Sequence, residues 1–246
     1  MFSFFFRFTF NPDPCICAFR LSFHRTLFVC PSLSFVSSRN SLASPSPLSP
    51  PSTPQVSGAY AAALEFHGPT VLALTRQALP HLAGSSIDGC LKGAYTVAEV
   101  GAQQPQPPQP TFVFIASGSE VSLALAAAAA LHESGDARFA AVRVVSAPSL
   151  ELFGAQPVAY RRALLPPGVP CASVEALTTF GWAHVAHHQV GMRSFGISAP
   201  GAAAMDAFGF TPAKVAAAAR AFLDEHAAQC AAMGVPAAFG PLPTHF

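Results

Sequence analysis

Several groups of residues in this chain have types and spacings that could do chemistry. Arg76 follows the apolar run Thr70–Thr75 in the stretch TVLALTRQALPHLAGSS. A guanidinium at the end of a buried strand offers a planar fork of donors that fits phosphate oxygens, and it stays charged at any working pH. The plain alternative is an arginine paired with a nearby carboxylate such as Asp88. Ser117-Gly118-Ser119-Glu120 has the texture of a phosphate loop, but it lacks the glycine spacing of a dinucleotide loop and the Gly-Lys-Ser/Thr of a P-loop. Its glutamate would also repel an anion. The spacing predicts a capping box instead, with Ser117 accepting the Glu120 N–H and the Glu120 carboxylate reaching back. His184, His187 and His188 fall at i, i+3 and i+4, so on a helix they would share a face. Without a carboxylate or cysteine brought in by the fold, they make a solvated or interdomain face rather than a metal site. Cys15-x-Cys17, with His24 nearby, begins a metal pattern that no second ligand pair completes at zinc spacing. Glu175, at a strand end, reads as a hydrogen-bonded structural carboxylate rather than a base. Ser-His-Asp catalysis has no support beyond the presence of the residue types. No catalytic and no metal-ligating residue is assigned.

The elements that would position these residues follow from composition and pattern. At 246 residues the chain can hold one large domain or two small ones. Only 10% of residues are charged and 51% are apolar, which is enough for a buried core and too apolar for overall disorder. Charge is unevenly spread. Residues 1–55 carry four Arg and one Asp, whereas residues 56–246 carry nine basic and eleven acidic side chains. The globular part is therefore slightly acidic and offers no basic stripe for nucleic acid. The six cysteines, at 15, 17, 30, 90, 171 and 230, are too scattered for a disulfide framework, and reduced thiols in an intracellular protein are expected.

Residues 1–55 differ from the rest. Ten of the 22 phenylalanines precede residue 36, and SLASPSPLSPPSTPQ follows. Arg7, Asn11 and Asp13 interrupt the apolar runs, so none reaches the length of a membrane span. The Ser- and Arg-rich, acid-poor composition fits an organellar transit peptide. The alternative, and the preferred reading, is an unstructured or aberrant segment joined upstream of a real protein. From residue 56 the texture changes. GAYAAALEFHG is a helix candidate, Thr70–Thr75 a strand covered on both faces, and GAYTVAE a short strand. VGAQQPQPPQP is a linker. TFVFIAS (111–117), AVRVVSA (141–147) and CASVEAL (171–177) read as buried strands, separated by the helical patterns SEVSLALAAAAALHES and SLELFGAQPVAYRRALL. QVGMRSF holds a short strand, and TPAKVAAAARAFLDEH closes the pattern as a helix with Thr211 as N-cap and Pro212 at its first position. Strand–helix alternation with buried strands implies an α/β fold: a three-layer, mostly parallel sheet with helices on both faces. The expected division is 1–55 disordered or transit-like, 56–100 a remnant of an upstream domain, 101–110 linker, 111–233 the main domain and 234–246 a tail.

TVLALTRQALPHLAGSSIDGCLKGAYTV resembles the closing segment of the middle, pyrimidine-binding domain of transketolases. IASGSEVSLALAAAAALHE, VRVVSAPSLELFGAQPVAYRRALLP, SVEALTTFGWAHVAHHQVG and FGISAPGAAAMDAFGFTPAKVAAAA resemble the C-terminal domain of that family, in the same order. The resemblance runs from about Ser57 to about His226, and it rests on the ordered set of blocks rather than on one motif. Arg193 and Ser194 stand where the family carries an Asp-Arg pair, a departure that bears on any ion pair made there. The resemblance implies an enzyme that moves a two-carbon ketol unit from a ketose phosphate to an aldose phosphate. The reaction runs on thiamine diphosphate, held through Mg²⁺. It also implies a homodimer, and a phosphate-gripping role for Arg76. The family's Gly-Asp-Gly with its downstream Asn, its catalytic histidines and its pyrimidine-binding glutamate have no counterpart in these blocks. The chain is therefore expected to be incomplete for catalysis alone and to bind no thiamine diphosphate by itself. The Thr70–Thr75 strand is expected to lack its partners and to leave an apolar edge. Competing expectations are a non-catalytic dimerisation or interaction module, and part of another thiamine-diphosphate enzyme such as a deoxyxylulose-phosphate synthase. The cytoplasm is the expected compartment, with a plastid as the alternative, and no membrane or nucleic-acid partner is expected.

Overall fold

The computed structural model describes residues 26–28, 35–37, 40–41, 54–66, 70–72, 74, 79–101 and 109–244. Thr26–Phe28 (β1) pairs antiparallel with Phe35–Ser37 (β2), and Asn40–Ser41 (β3) pairs in parallel with Thr70–Val71 (β4). The expected strand over Thr70–Thr75 is thus confined, among the described residues, to two positions, and it has a partner where a bare edge was expected. Pro54–Glu65 forms α1 and Ile87–Leu91 forms α2.

The main body is a five-stranded sheet of Tyr95–Val100 (β5), Phe112–Ala116 (β6), Val142–Ser146 (β7), Cys171–Thr178 (β8) and His188–Met192 (β9), in the order β5-β7-β6-β8-β9. β6 pairs in parallel with β7 and β8, and β8 with β9; only β5 runs antiparallel, against β7. The helices are Glu120–Glu133 (α3), Leu150–Gly154 (α4), Val158–Leu164 (α5), Gly201–Ala207 (α6) and Pro212–Ala232 (α7). Thr211 caps α7 as expected, its hydroxyl accepting the Lys214 N–H, with Pro212 at the first helical position.

Continuous apolar strands are what a doubly covered sheet requires, and the two faces separate residue by residue. Phe112, Phe114, Ala116, Val142, Val144, Ala172 and Val174 face one core, closed by α3 and α7 through Val121, Ala124, Ala127, Ala128, Leu131, Val215, Ala216, Ala219 and Leu223. Val113, Ile115, Val145 and Cys171 face the other, closed by Leu150, Phe153, Leu164, Leu165, Trp182 and Val185. Alanines on α3 and α7 bring those helices close to the sheet. Their small side chains leave no room for anything larger without repacking.

Two boundaries differ from the sequence reading. The strand Tyr95–Val100 was assigned to the upstream remnant, but it belongs to this sheet. Glu99 and Arg143 are register partners across β5 and β7, and Arg143 Nε donates to Glu99 Oε1 at 2.5 Å. Arg143 Nη1 also donates to the carbonyls of Ala163 (2.6 Å) and Leu164 (3.0 Å), placing a cation at the C-terminus of α5. The 101–110 linker therefore connects two strands of one sheet in sequence rather than two domains. The second boundary is residue 55. Gln55 sits on α1, only 1% exposed, and its Nε2 donates to Tyr95 Oη (2.6 Å) and Ser146 Oγ (2.9 Å), which are themselves register partners. A buried amide is stable only when its donors are matched. Gln55 is therefore part of the folded body, not of the segment before it.

Candidate functional site

The chain leaves β6 toward β7 on one side and leaves β8 toward β9 on the other, and β6 and β8 are neighbours. Between two such strands the connecting segments diverge and open a crevice beyond the carboxyl ends, where open α/β sheets place their sites. Three polar residues lie buried at that switch point. Ser117 follows β6, Glu120 opens α3, and Glu175 lies on β8.

Ser117 Oγ donates to Glu175 Oε2. Ser119 Oγ donates to Glu120 Oε1 at 2.9 Å. Both carboxyls are buried, Glu120 at 0% and Glu175 at 1% exposure, and Glu120 Oε2 and Glu175 Oε1 accept no hydrogen bond. The expected capping box is therefore not formed. Ser119, not Ser117, is the N-cap of α3 and makes no side-chain cap bond, and Gly118 turns the chain at φ +72°. The reason is competition. Ser117 spends its hydroxyl on Glu175, and the Glu120 carboxylate accepts the Ser119 hydroxyl instead of reaching back to Ser117.

Burial pushes Glu120 up to about 7. Burial also raises Glu175 well above the ordinary carboxylate range, the neighbouring Glu120 charge raises it further, and the Ser117 hydrogen bond only partly opposes this. Two coupled like charges in a dry site cannot both ionise cheaply, so near neutrality the pair keeps a proton. The set stores a proton at the switch point. It is not placed to pass that proton to a substrate, because neither carboxyl reaches solvent. The reading of Glu175 as a hydrogen-bonded structural carboxylate holds. Glu120 as its buried neighbour escaped sequence reasoning, because the register of Ala116 with Val174 that brings the two strand ends together is not written in local sequence.

The other singled-out residues are placed as follows. Arg76 lies outside the described residues, as do Cys15, Cys17 and His24. Asp88 is exposed in the first turn of α2, where the Ser86 hydroxyl accepts the Gly89 N–H as N-cap. The three histidines do not share a helix face: His184 ends a 3-10 turn (Trp182–His184), His187 lies in the connection, and His188 opens β9. Arg193 and Ser194 are exposed beyond β9. Among the described residues no three His, Cys, Asp or Glu side chains converge to hold a metal ion. The described residues therefore offer no such set for a Mg²⁺-bound diphosphate, and no step through that group is assigned to them. Among the described residues no helix is long and apolar enough to cross a membrane.

The transketolase-like TK C-terminal domain family matches residues 93–211. Transketolase 1 of Candida albicans is 42% identical over 163 residues, which cover 66% of this chain and 22% of that protein. The solved transketolase of Leishmania mexicana superposes with a TM-score of 0.64 at 45% identity, covering 79% of this chain and 26% of that one. A Pichia stipitis transketolase in complex with sedoheptulose-7-phosphate gives a TM-score of 0.60 at 40% identity, covering 76% and 25%. The chain thus spans about a quarter of the length of the relatives it matches. The ordered blocks, the shared sheet and these identities establish that the chain belongs, through its C-terminal domain, to the transketolase family.

Proposed function

We propose that this chain supplies the C-terminal part of a transketolase-type enzyme, one that transfers a two-carbon ketol unit between sugar phosphates in the pentose phosphate pathway or Calvin cycle. The observation that carries this is identity above 40% to transketolases over most of the described residues, with a common fold. The sugar-phosphate substrate class is supported by the relative solved with sedoheptulose-7-phosphate. Thiamine diphosphate, with Mg²⁺, supplies the carbanion chemistry in such an enzyme. It would be held by protein beyond the quarter represented here, so the chain is incomplete for catalysis alone. Arg76 would grip the terminal phosphate of the sugar, as a fork donor matched to an anion at a strand end. The cytoplasm is proposed as its compartment; a plastid is the alternative, on the Ser- and Arg-rich composition of residues 1–55.

A chimera tests this reading. The C-terminal quarter of Candida albicans transketolase is replaced by residues 56–246 of this chain and assayed with xylulose 5-phosphate and ribose 5-phosphate. The chimera should turn over, and Arg76→Ala should raise KM for the sugar phosphate roughly 10- to 100-fold with thiamine diphosphate binding unchanged. Turnover or stoichiometric thiamine diphosphate capture by the present chain alone would contradict the proposal.

A second reading, a non-catalytic docking module, is favoured by one observation. Phe180 and Phe195 are 89% and 98% exposed, shortly beyond the register partners Thr178 and Met192, and α6 buries no residue. α6 rests on the first core through Met205 alone, a small anchorage for seven residues of helix. Sedimentation of the chain with and without a transketolase lacking its C-terminal domain separates the two readings: association without restored activity supports docking alone.

A further inference from the structure

At the amino ends of β8 and β9, opposite the crevice, the chain lies on its own folded body as a ligand would. Residues 231–238, from the last turn of α7 onward, are all exposed, and Gly234 turns the chain at φ +68°. Burial resumes within Phe239-Gly240-Pro241-Leu242-Pro243-Thr244, a stretch with no regular secondary structure. Phe239 packs against the first core and Leu242 against the second. The segment therefore bridges the two faces of the sheet, a span within the roughly 10 Å that three extended residues can reach.

Side chains and backbone are both recognised. The Phe239 ring stacks on His226 of α7 (centroids 4.0 Å apart, 19° between planes), meets His187 edge-on at 5.1 Å and lies 5.4 Å from Phe222. His187 Nδ1 accepts the Cys171 N–H at 3.1 Å, so the proton of the neutral ring sits on Nε2 and is donated to the Gly240 carbonyl at 3.0 Å. The Thr244 N–H donates to the His184 carbonyl at 2.9 Å, and Arg161 Nη1 donates to the Thr244 carbonyl. Thr244 holds φ +47°, a conformation that β-branched residues keep only where contacts over-determine it.

We propose that this face is a peptide-binding groove, filled in cis by the chain's own residues 239–244 and open to the same segment of a second copy. Its ligand class is an extended peptide with an aromatic anchor, a carbonyl for the His187 Nε2 proton and a second apolar contact further along. The walls belong to elements seated without the segment. Val215, Ala219 and Leu223 fix α7 in the first core, Leu164 fixes α5 in the second, and β8 is held between β6 and β9. The ligand is preorganised. Pro241 and Pro243 are exposed and fix φ, so an extended segment loses little freedom on docking against aromatic rings. Arg161 adds direction at the far end. It is only 9% exposed, and no carboxylate among the described residues pairs with it, so its charge-assisted bond goes to the Thr244 carbonyl. The short exposed tether holds the ligand at a local concentration on the order of millimolar, which keeps the groove filled in cis.

Cutting the tether of the folded full chain tests the groove. A protease site is inserted between Ala237 and Ala238, both exposed, and cleaved after folding; gel filtration then removes the freed fragment. Hydrogen exchange should show β6 and β7 as protected as before the cut. A fluorescent peptide of residues 235–246 should then bind saturably by anisotropy, with Kd below about 1 mM, the local concentration that the tether supplies. Phe239→Ala in the peptide should weaken binding roughly 10-fold or more, and a peptide ending at Pro243, which lacks the Thr244 carbonyl, should also bind less tightly. Pro236→Ala, at an exposed position, should leave affinity unchanged. Loss of β6 and β7 protection on cleavage would show that the segment is part of the core and not a ligand. That result, absence of saturation up to about 1 mM, or equal affinity of the Phe239→Ala peptide would each overturn the proposal.

Discussion

The Ser117 hydroxyl donates a hydrogen bond to Glu175 across the gap between β6 and β8, one step beyond the paired residues Ala116 and Val174. That bond fixes which carboxylate oxygen is satisfied and leaves Glu175 Oε1 and Glu120 Oε2 as buried acceptors without donors. A proton retained near neutrality by one of the two raised carboxyls eases that deficit. The pair is therefore sensitive to pH.

The first prediction is a fall in stability on the alkaline side. Both carboxyls are raised in the folded state, so their contribution is complete below about 4.5; that of Glu120 is lost as pH rises through about 7, and that of Glu175 as pH climbs well above the ordinary carboxylate range. For Glu120 alone the shift corresponds to about 3 kcal/mol, to order of magnitude. Thermal melts from pH 5 to 9 should show a Tm lowered by several degrees above neutrality. Glu175→Gln, a neutral amide of the same shape, should flatten that slope. A Tm that rises with pH over this range in the parent chain would contradict the shared proton.

Removing the serine gives the second. Ser117→Ala takes the donor from Glu175 and leaves a second buried oxygen unmatched, at a cost of about 1–3 kcal/mol. In the Glu175→Gln background the same change should cost less, since the carboxyl that Ser117 bonds is gone. Denaturant midpoints of the four proteins form the cycle, and additive effects would show that the two residues are not coupled.

How far the sequence reached depends on the kind of pattern. Buried strands such as FVFIA and the capped helix from Thr211 are local signals, and they were legible because both faces of the sheet are covered. Tyr95–Val100 was legible as a strand but not as a member of this sheet. Its place depends on Glu99 meeting Arg143, a pairing across 44 residues of chain. Glu120 was misread for the same reason. A serine three residues before a glutamate is a capping signal only when no distant carboxylate claims the serine. The histidines were spaced for a helix that the chain does not form, because Gly181, at φ +89°, turns it into a short 3-10 segment and an edge strand. The role given to Arg76 rests on resemblance alone, and its side chain lies outside the described residues.

Gln55 yields a third prediction. Its amide bridges Tyr95 and Ser146, and its carbonyl accepts the Cys90 thiol at 3.2 Å. Gln55→Ala leaves the tyrosine and serine hydroxyls without that donor and should cost about 1–3 kcal/mol. Because Gln55 ties α1 to the sheet, limited proteolysis should cut within 54–66 in the variant well before it cuts β6 or β7. Unchanged protection of α1 would mean that its other packing holds it.

Gly93 gives the fourth. It lies between α2 and β5 with φ +85°, its carbonyl accepts the Ser149 N–H at 2.8 Å, and a Cβ there would fall 2.3 Å from the Phe153 nitrogen and 2.4 Å from the Ser149 carbonyl oxygen. Two penalties coincide: a left-handed backbone that side chains resist, and contact with backbone that cannot rotate away. Ser149 is the N-cap of α4, its hydroxyl accepting the Leu152 N–H at 3.0 Å, so a shift at Gly93 propagates to the helix that carries Phe153 into the second core. Gly93→Ala should therefore cost more than the ~1 kcal/mol expected from conformation alone. The Trp182 emission, which reports the same core, should shift toward longer wavelength as that core loosens. An alanine variant as stable as the parent, with unshifted emission, would show that α4 can move away freely and that this contact does not hold the second core in place.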